Sequence, residues 1–547
     1  MIKNIKILAL ASLFFVACEK EEEKIVVANS SDGLALTAGT ANFAKYVAIG
    51  NSLTAGFSDN SLFKAGQLGS WTNILAEQFK TVGGGEFKIP LTNNNVGGLL
   101  FNSNVNPRFG ARFYFTGNPD SPVAQASGVG VATNEVFNQT LAIGGPYNNV
   151  GVPGAKSFHV LSSGYGQLLN LITVPPTANP YYARFAPQGA DAKSMLNYAF
   201  DQKPTFFSLW IGNNDVLSYA TFGGDGVDQT GNPNAASYSD SDITDPTLFS
   251  GVYNNLLNKL TSEGAKGAVA NIPYVTSLPF FYAIKYNRLT QANLTVQGVN
   301  QVPELNAKLY GPLKLALSNL GQGSRLNLLA TTGNNPMIMR DKSLTDVSTD
   351  LTTQLTTIFT AAGLPPALAA GQAAVLGSVF GQARQTKETD LICFSSATRI
   401  GQAPNVPQDG VTSPAPTINA MGVSFPLPDR YVLTPSEVQT VTVATDAYNA
   451  SIKSLATAKG LAFIDANLIL KNLFSFGANE GGFTLRATYA TGGAFSMDGV
   501  HPAPRGYALI ANSFIREINK TYGSNIKTVD LGNYRFLYPA VIGDGNK

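Results

Sequence analysis

The run Tyr46-Val47-Ala48-Ile49-Gly50-Asn51-Ser52-Leu53-Thr54-Ala55-Gly56 decides how the chain is read. Four apolar residues halted by a glycine have the signature of a short buried strand. The serine just past its end stands where open α/β sheets present their chemistry, and its small neighbours leave it within reach of a substrate. Trp71, Ile74, Leu75 and Phe79 then fall at helical spacing, so the opening unit reads strand, loop, helix. Further apolar runs follow at Phe206-Phe207-Ser208-Leu209-Trp210-Ile211, Ala268-Val269-Ala270-Asn271-Ile272 and Leu461-Ala462-Phe463-Ile464. Before the last of these, Thr434 as N-cap, Pro435 in the first turn and Glu437 three residues on mark the start of a helix with a capping box. Strands alternating with helices predict an α/β fold whose parallel sheet is covered on both faces.

The rest of the chain is compatible with one domain enlarged by insertions. Of 547 residues, 44% are hydrophobic and 13% charged, with 54 glycines and 30 prolines, which predicts a large core and many long loops. The formal net charge is only +2 and no dense Lys/Arg stripe occurs, which argues against a nucleic-acid partner. Stretches 83–148 and 223–245 are rich in Gly, Asn, Pro, Ser or Asp and read as long loops. Asp225, Asp228, Asp240 and Asp242 match no calcium-loop spacing, so a solvated loop is expected there. From 350 to 381, Leu351, Leu355, Phe359, Leu364, Leu368, Val375 and Phe380 are spaced for short amphipathic helices around Pro365-Pro366. These form either a lid over an acyl-binding surface or, the simpler expectation, helices packed on their own small core.

At the N-terminus, Lys3 and Lys6 precede an apolar run that is too short to span a bilayer but suits a signal peptide. It ends in Phe15-Val16-Ala17-Cys18, which resembles the lipobox of bacterial lipoproteins and implies lipidation of Cys18 and cleavage after residue 17. The alternative is an ordinary cleavable signal. Glu19, Lys20, Glu21, Glu22 and Glu23 resemble the acidic tract that directs some Bacteroidetes lipoproteins to the cell surface; read as plain charge, they are a solvated tether. The expectation is an exported protein, lipid-anchored to the bacterial outer membrane, with residues 18–43 as a flexible leash and 44–535 as the folded domain. The other cysteine, Cys393, lies in an apolar run and reads as a buried small hydrophobe.

Ester hydrolysis by a serine needs a base, a group that orients the base, and donors for the oxyanion. The chain has two histidines, so the base is His159 or His501. His501 lies in Met497-Asp498-Gly499-Val500-His501-Pro502, with an aspartate three residues upstream, and just ahead of a helix carrying Leu509, Ile510, Phe514, Ile515 and Ile518 on its apolar face. His159 has no such carboxylate nearby in sequence and reads as structural.

Four blocks resemble, in order, those of the SGNH/GDSL hydrolases. Gly50-Asn51-Ser52-Leu53 is similar to the family's Gly-Asp-Ser-Leu block, and Asn149-Val150-Gly151-Val152-Pro153-Gly154-Ala155 to its second block. Gly212-Asn213-Asn214-Asp215 resembles Gly-x-Asn-Asp, and Asp498 to Pro502 resembles Asp-x-x-His-Pro. The resemblance implies a flavodoxin-like three-layer fold, into which the stretches at about 83–148, 220–250 and 280–430 read as insertions. It implies Ser52 as nucleophile, His501 as acid-base and Asp498 as its partner, with an oxyanion hole from the N–H groups of Ser52 and Gly154 and the amide of Asn214. No metal or cofactor is implied. One departure stands out: Asn51 replaces the usual aspartate, keeping a carbonyl acceptor and gaining a donor.

The resulting expectation is a carboxylic-ester hydrolase, a lipase or esterase. Two alternatives stand beside it: a carbohydrate deacetylase of the same fold, and a catalytically impaired surface-binding lipoprotein. The substrate is then an acyl lipid or an acetylated glycan; Tyr181-Tyr182 suggest sugar stacking, and the 350–381 segment suggests acyl chains.

Overall fold

Five short strands form the centre of the protein: β1 (Tyr46–Gly50), β2 (Asn149–Gly151), β3 (Phe206–Trp210), β4 (Lys266–Ala270) and β5 (Ala462–Ile464). All pairings are parallel and the spatial order is β5-β4-β3-β1-β2. Every residue of β1 and β3 is buried, as expected of strands covered on both faces. The structure is a computed structural model and describes residues 35–117, 129–137 and 140–543. The expected signal peptide, Cys18 and the leash as far as residue 34 lie outside the described residues.

The helices that frame the site are α1 (Ser52–Ala55), α2 (Trp71–Lys80), α3 (Asn214–Thr221), α4 (Pro246–Thr261), α5 (Ser348–Ala361), α6 (Pro366–Phe380), α7 (Pro435–Ala458), α8 (Ala466–Ser475) and α9 (Pro504–Tyr522). Side chains alternate across a strand, so Phe206 and Trp210 of β3 share one face. There Phe206 meets Phe79 of α2 and Tyr522 of α9, while Trp71 stacks on Phe514 at 4.2 Å and meets Trp210 edge-on. Helices α4 and α7 pack on each other, with Phe249 stacked on Tyr448 at 4.2 Å, and α7 also contacts β4 and β5. Each aromatic pair adds about 0.5–1.5 kcal/mol beyond its buried area. The capping box at Thr434 and Glu437 opens α7 as the sequence predicts.

The inserted stretches share this core. One continuous hydrophobic cluster joins the sheet residues to Leu313, Met337, Leu351, Phe380 and Leu427. The 350–381 region forms the paired helices α5 and α6, burying Leu351, Leu355, Phe359 and Phe380; Leu368, expected on the inner face, instead points to solvent at 60% exposure. Asp242 also departs from the expected solvated loop. It is buried and accepts hydrogen bonds from Val227 N–H, Gln229 and Ser239, so it organises the 223–245 loop from within. Among the described residues no cluster of three or more His, Cys, Asp or Glu side chains is arranged to hold a metal ion. Cys393 is buried, and burial pushes its thiol pKa well up.

The strand order reverses between β1 and β3, because β2 returns to the far side of β1. That reversal is the topological switch point at which open sheets form a crevice beyond the carboxyl ends of their strands. Ser52, Gly154 and Asn214 all follow such carboxyl ends.

Candidate active site

β1 ends at Gly50 and α1 starts at Ser52, with Asn51 as N-cap. The Asn51 side-chain Oδ1 accepts the Leu53 N–H at 3.1 Å, and its side-chain amide donates to Oδ1 of Asn213 at 3.1 Å. The Asn51 side chain thus both accepts and donates, and it ties the loop after β1 to the loop after β3. The Ser52 N–H is the first of α1 and has no intrahelical partner.

Ser52 Oγ lies 2.8 Å from Nε2 of His501, and His501 Nδ1 lies 2.8 Å from Oδ2 of Asp498. Ser52 and His501 are brought together across 449 residues of sequence. With Asp498 ionised, the network assigns the proton to Nδ1 and leaves Nε2 to accept from the serine hydroxyl. Phe57 packs on the imidazole at 4.6 Å between ring centres.

Asp498 is held from all sides. Its Oδ1 accepts the Ser496 hydroxyl at 3.0 Å and the N–H groups of Val500 and His501 at 2.8 Å each; its Oδ2 also accepts the Asn60 N–H at 2.8 Å. Burial pushes its pKa up, but the His501 charge and these hydrogen bonds outweigh burial and hold it below the ordinary carboxylate value. The turn needs Gly499, whose φ is +71°; a Cβ there would come 2.9 Å from the Phe280 backbone nitrogen.

Sequence reading missed the support behind Asp498. Asp59 and Asn60 both adopt positive φ, 50° and 63°, a conformation that Asn and Asp tolerate better than other side chains. In that conformation Asn60 reaches Asp498, the Asp59 N–H donates to Ser496 Oγ at 2.9 Å, and the Asp59 carboxylate accepts the Met497 N–H at 2.9 Å. Asp59 is buried, and burial pushes its pKa to about 7 although Arg112 stands 3.8 Å away. Two turn-forming residues in a polar run, Ser58-Asp59-Asn60-Ser61, were the only sequence signal, and it says nothing of a partner far along the chain.

Asn214 is buried at the start of α3 and donates to the Ala155 carbonyl at 2.9 Å, leaving its second amide hydrogen for another acceptor. Gly154 occupies the turn after β2, with φ +83°, and a Cβ there would come 3.6 Å from the side-chain nitrogen of Asn179. The neighbouring Asp215 accepts from the Ser157 hydroxyl and N–H at 2.7 and 2.8 Å, fixing that turn against α3. Ser52, His501 and Asn214 line one cavity; Gly154 is not among its lining residues.

The other candidates sit apart from this chemistry. His159 accepts the Lys156 N–H and stacks on Tyr165 at 4.2 Å; burial, then the Lys156 charge, drives its pKa down to about 3. Tyr181 and Tyr182 are buried, not displayed for sugar stacking, and the Tyr182 hydroxyl donates to the Lys193 carbonyl. No residue of the 350–381 helices lines the cavity, so they do not cover it. Comparison with known proteins adds nothing: no family model, curated protein or solved structure matches the chain.

Proposed function

We propose that this chain is a serine hydrolase of carboxylic esters, of the SGNH/GDSL type. The observation that carries the proposal is the continuous Asp498–His501–Ser52 chain, with both contacts at 2.8 Å. The strand order, equivalent to the 2-1-3-4-5 order of flavodoxin-like sheets, supports the same reading. So does the placement of the first three motif blocks at the carboxyl ends of β1, β2 and β3.

In this mechanism Ser52 Oγ attacks the ester carbonyl as His501 Nε2 takes its proton, and Asp498 stabilises the imidazolium. The carbonyl oxygen, now negative, receives the N–H groups of Ser52 and Gly154 and the free amide hydrogen of Asn214. The intermediate collapses as His501 returns the proton to the departing alcohol, leaving an acyl-serine. Water, deprotonated by the same imidazole, then releases the carboxylic acid and restores Ser52. Export and lipid anchoring through Cys18 belong to the proposal on sequence grounds alone, and put the acyl ester substrate at or near a membrane surface. The glycan deacetylase reading loses its support with the burial of Tyr181 and Tyr182.

A fluorophosphonate probe tests the proposal. It is expected to label the wild-type protein at Ser52, while Ser52→Ala abolishes both labelling and hydrolysis of short aryl esters. A wild-type protein that neither labels nor hydrolyses any ester sinks the hydrolase and leaves a binding protein.

A further inference from the structure

The cavity beside Ser52 is partly enclosed. It runs inward between α8, α9 and the carboxyl ends of β3 and β5, and beyond Asn213, Asn214 and His501 its walls are almost wholly apolar. Leu278, Ile469, Leu473 and Ile510 form much of the lining, and Trp210 forms part of it as well. Such a wall offers nothing to a sugar hydroxyl and much to an alkyl chain.

Its size can be gauged from its volume and from the span of its lining. The space open to the centre of a water-sized group is about 90 Å³. One such group needs roughly 10–15 Å³, so on the order of six or more methylene-sized groups fit. The lining residues also span a length: Gly506 to Ser513 on α9 and Ala466 to Leu473 on α8. Seven residues of α-helix advance about 10 Å. An extended alkyl chain advances about 1.25 Å per carbon, from a bond near 1.5 Å at the tetrahedral angle, so that length holds about eight carbons.

Resting on the serine-esterase reading above, we infer that this cavity is the acyl-chain pocket and that the protein's substrates are esters of medium-length aliphatic acids, about six to ten carbons, not acetyl esters. The acyl carbonyl sits at Ser52, and the tail threads between α8 and α9.

Two measurements on the full chain test this. The first is kcat/KM for p-nitrophenyl esters from acetate to laurate, beside an acetylated sugar. Burial of each added methylene predicts a rise of roughly three- to fourfold per carbon up to about eight carbons and none beyond. Ile510→Trp, which fills the pocket about one helical turn past Gly506, is expected to cut the octanoate-to-acetate ratio at least tenfold. Leu473→Ala, which widens it, is expected to move the optimum to longer chains. A wild-type protein that takes the fluorophosphonate label yet shows a flat series, or prefers acetyl esters, overturns the pocket and leaves the esterase standing.

The second measurement needs no turnover. The two tryptophans, Trp71 and Trp210, are in edge-on contact, and Trp210 lines the cavity. 8-Bromooctanoate is expected to quench their fluorescence saturably, and bromoacetate at equal concentration is not. Quenching without labelling or hydrolysis keeps the acyl pocket and removes the esterase; equal quenching by both acids, or none, removes the pocket.

Discussion

Asp498→Asn separates the charge of the carboxylate from its shape, and the hydrogen bonds around it say how the substitution resolves. Oδ1 receives three donors, from Ser496, Val500 and His501 N–H, and Oδ2 receives two, from Asn60 N–H and the His501 ring. An amide keeps one acceptor oxygen and must place its NH2 at the other position. At Oδ1 the NH2 would face two backbone N–H groups that cannot turn away. At Oδ2 it faces one, plus an imidazole that can respond by moving its proton to Nε2. The second arrangement costs less, and it leaves His501 presenting N–H to Ser52 with no lone pair to accept the serine proton. The wrong tautomer of a Ser-His-Asp triad costs about 10⁴ in kcat, or roughly 5.5 kcal/mol of transition-state stabilisation. The Asn60 N–H left without an acceptor costs about 1–3 kcal/mol of stability. Steady-state kinetics on a p-nitrophenyl ester should show the loss in kcat with KM little changed, and urea unfolding should show the smaller stability loss. A variant that keeps kcat within tenfold of wild type refutes both the assigned tautomer and the role of Asp498.

Asn214→Ala removes one oxyanion donor and is expected to lower kcat by about 10²–10³; an unchanged kcat would take Asn214 out of the hole. Asn51→Asp should leave kcat/KM within about threefold, because the carboxylate still accepts the Leu53 N–H and Asn213 can turn its amide to donate, keeping both hydrogen bonds; a hundredfold loss would show that the asparagine is needed. Asp59 makes a prediction about pH: its folded pKa of about 7 lies above the unfolded value of about 3.9, so its contribution to stability is full below pH 4 and is lost as pH rises through 7. Roughly three pKa units correspond to a decline on the order of 4 kcal/mol, which Asp59→Asn should abolish in urea titrations at pH 4 and pH 8; identical slopes in the two proteins would contradict the burial of that charge.

Most of the sheet was legible because buried parallel strands are short apolar runs. β1, β3, β4 and β5 all carry that pattern, and α7 announces itself by its capping box. β2 escapes the pattern. It is three residues long and begins with Asn149, whose buried side chain donates to the Thr54 carbonyl of α1 and the Thr72 hydroxyl of α2. Helix α8 went unread, though it supplies a wall of the cavity. Within the candidate site, Ser52, His501 and Asp498, which the structure joins by hydrogen bonds, were legible, and the residues that hold them were not. A Ser or His motif is local, whereas the service of Asn60 to Asp498 depends on a fold that brings residues 438 apart into contact. Tyr181 and Tyr182 failed for a related reason: an aromatic pair has the same composition whether it faces solvent or the core.

The contacts that join the two halves of the triad come from one short segment. The Phe57 carbonyl accepts the Tyr507 hydroxyl, Ser58 donates to the Pro502 carbonyl, Asp59 pairs with Ser496 and Met497, and Asn60 reaches Asp498. These four residues follow α1, the helix Ser52 begins, so whatever fixes them fixes the nucleophile relative to its base. Arg112 braces the same loop from behind, 3.8 Å from Asp59, and is itself held by the carbonyls of Asn95, Pro539 and Ala540. The long stretch between β4 and α7, by contrast, meets the catalytic turn through one hydrogen bond, Phe280 N–H to the Gly499 carbonyl, and meets the cavity through Pro273, Val275 and Leu278. In the proposed mechanism, proton transfer and substrate shape are therefore controlled by different parts of the chain. Changes at 57–60 should alter kcat for every ester alike, while changes at 273–278 should alter the preference among acyl chains.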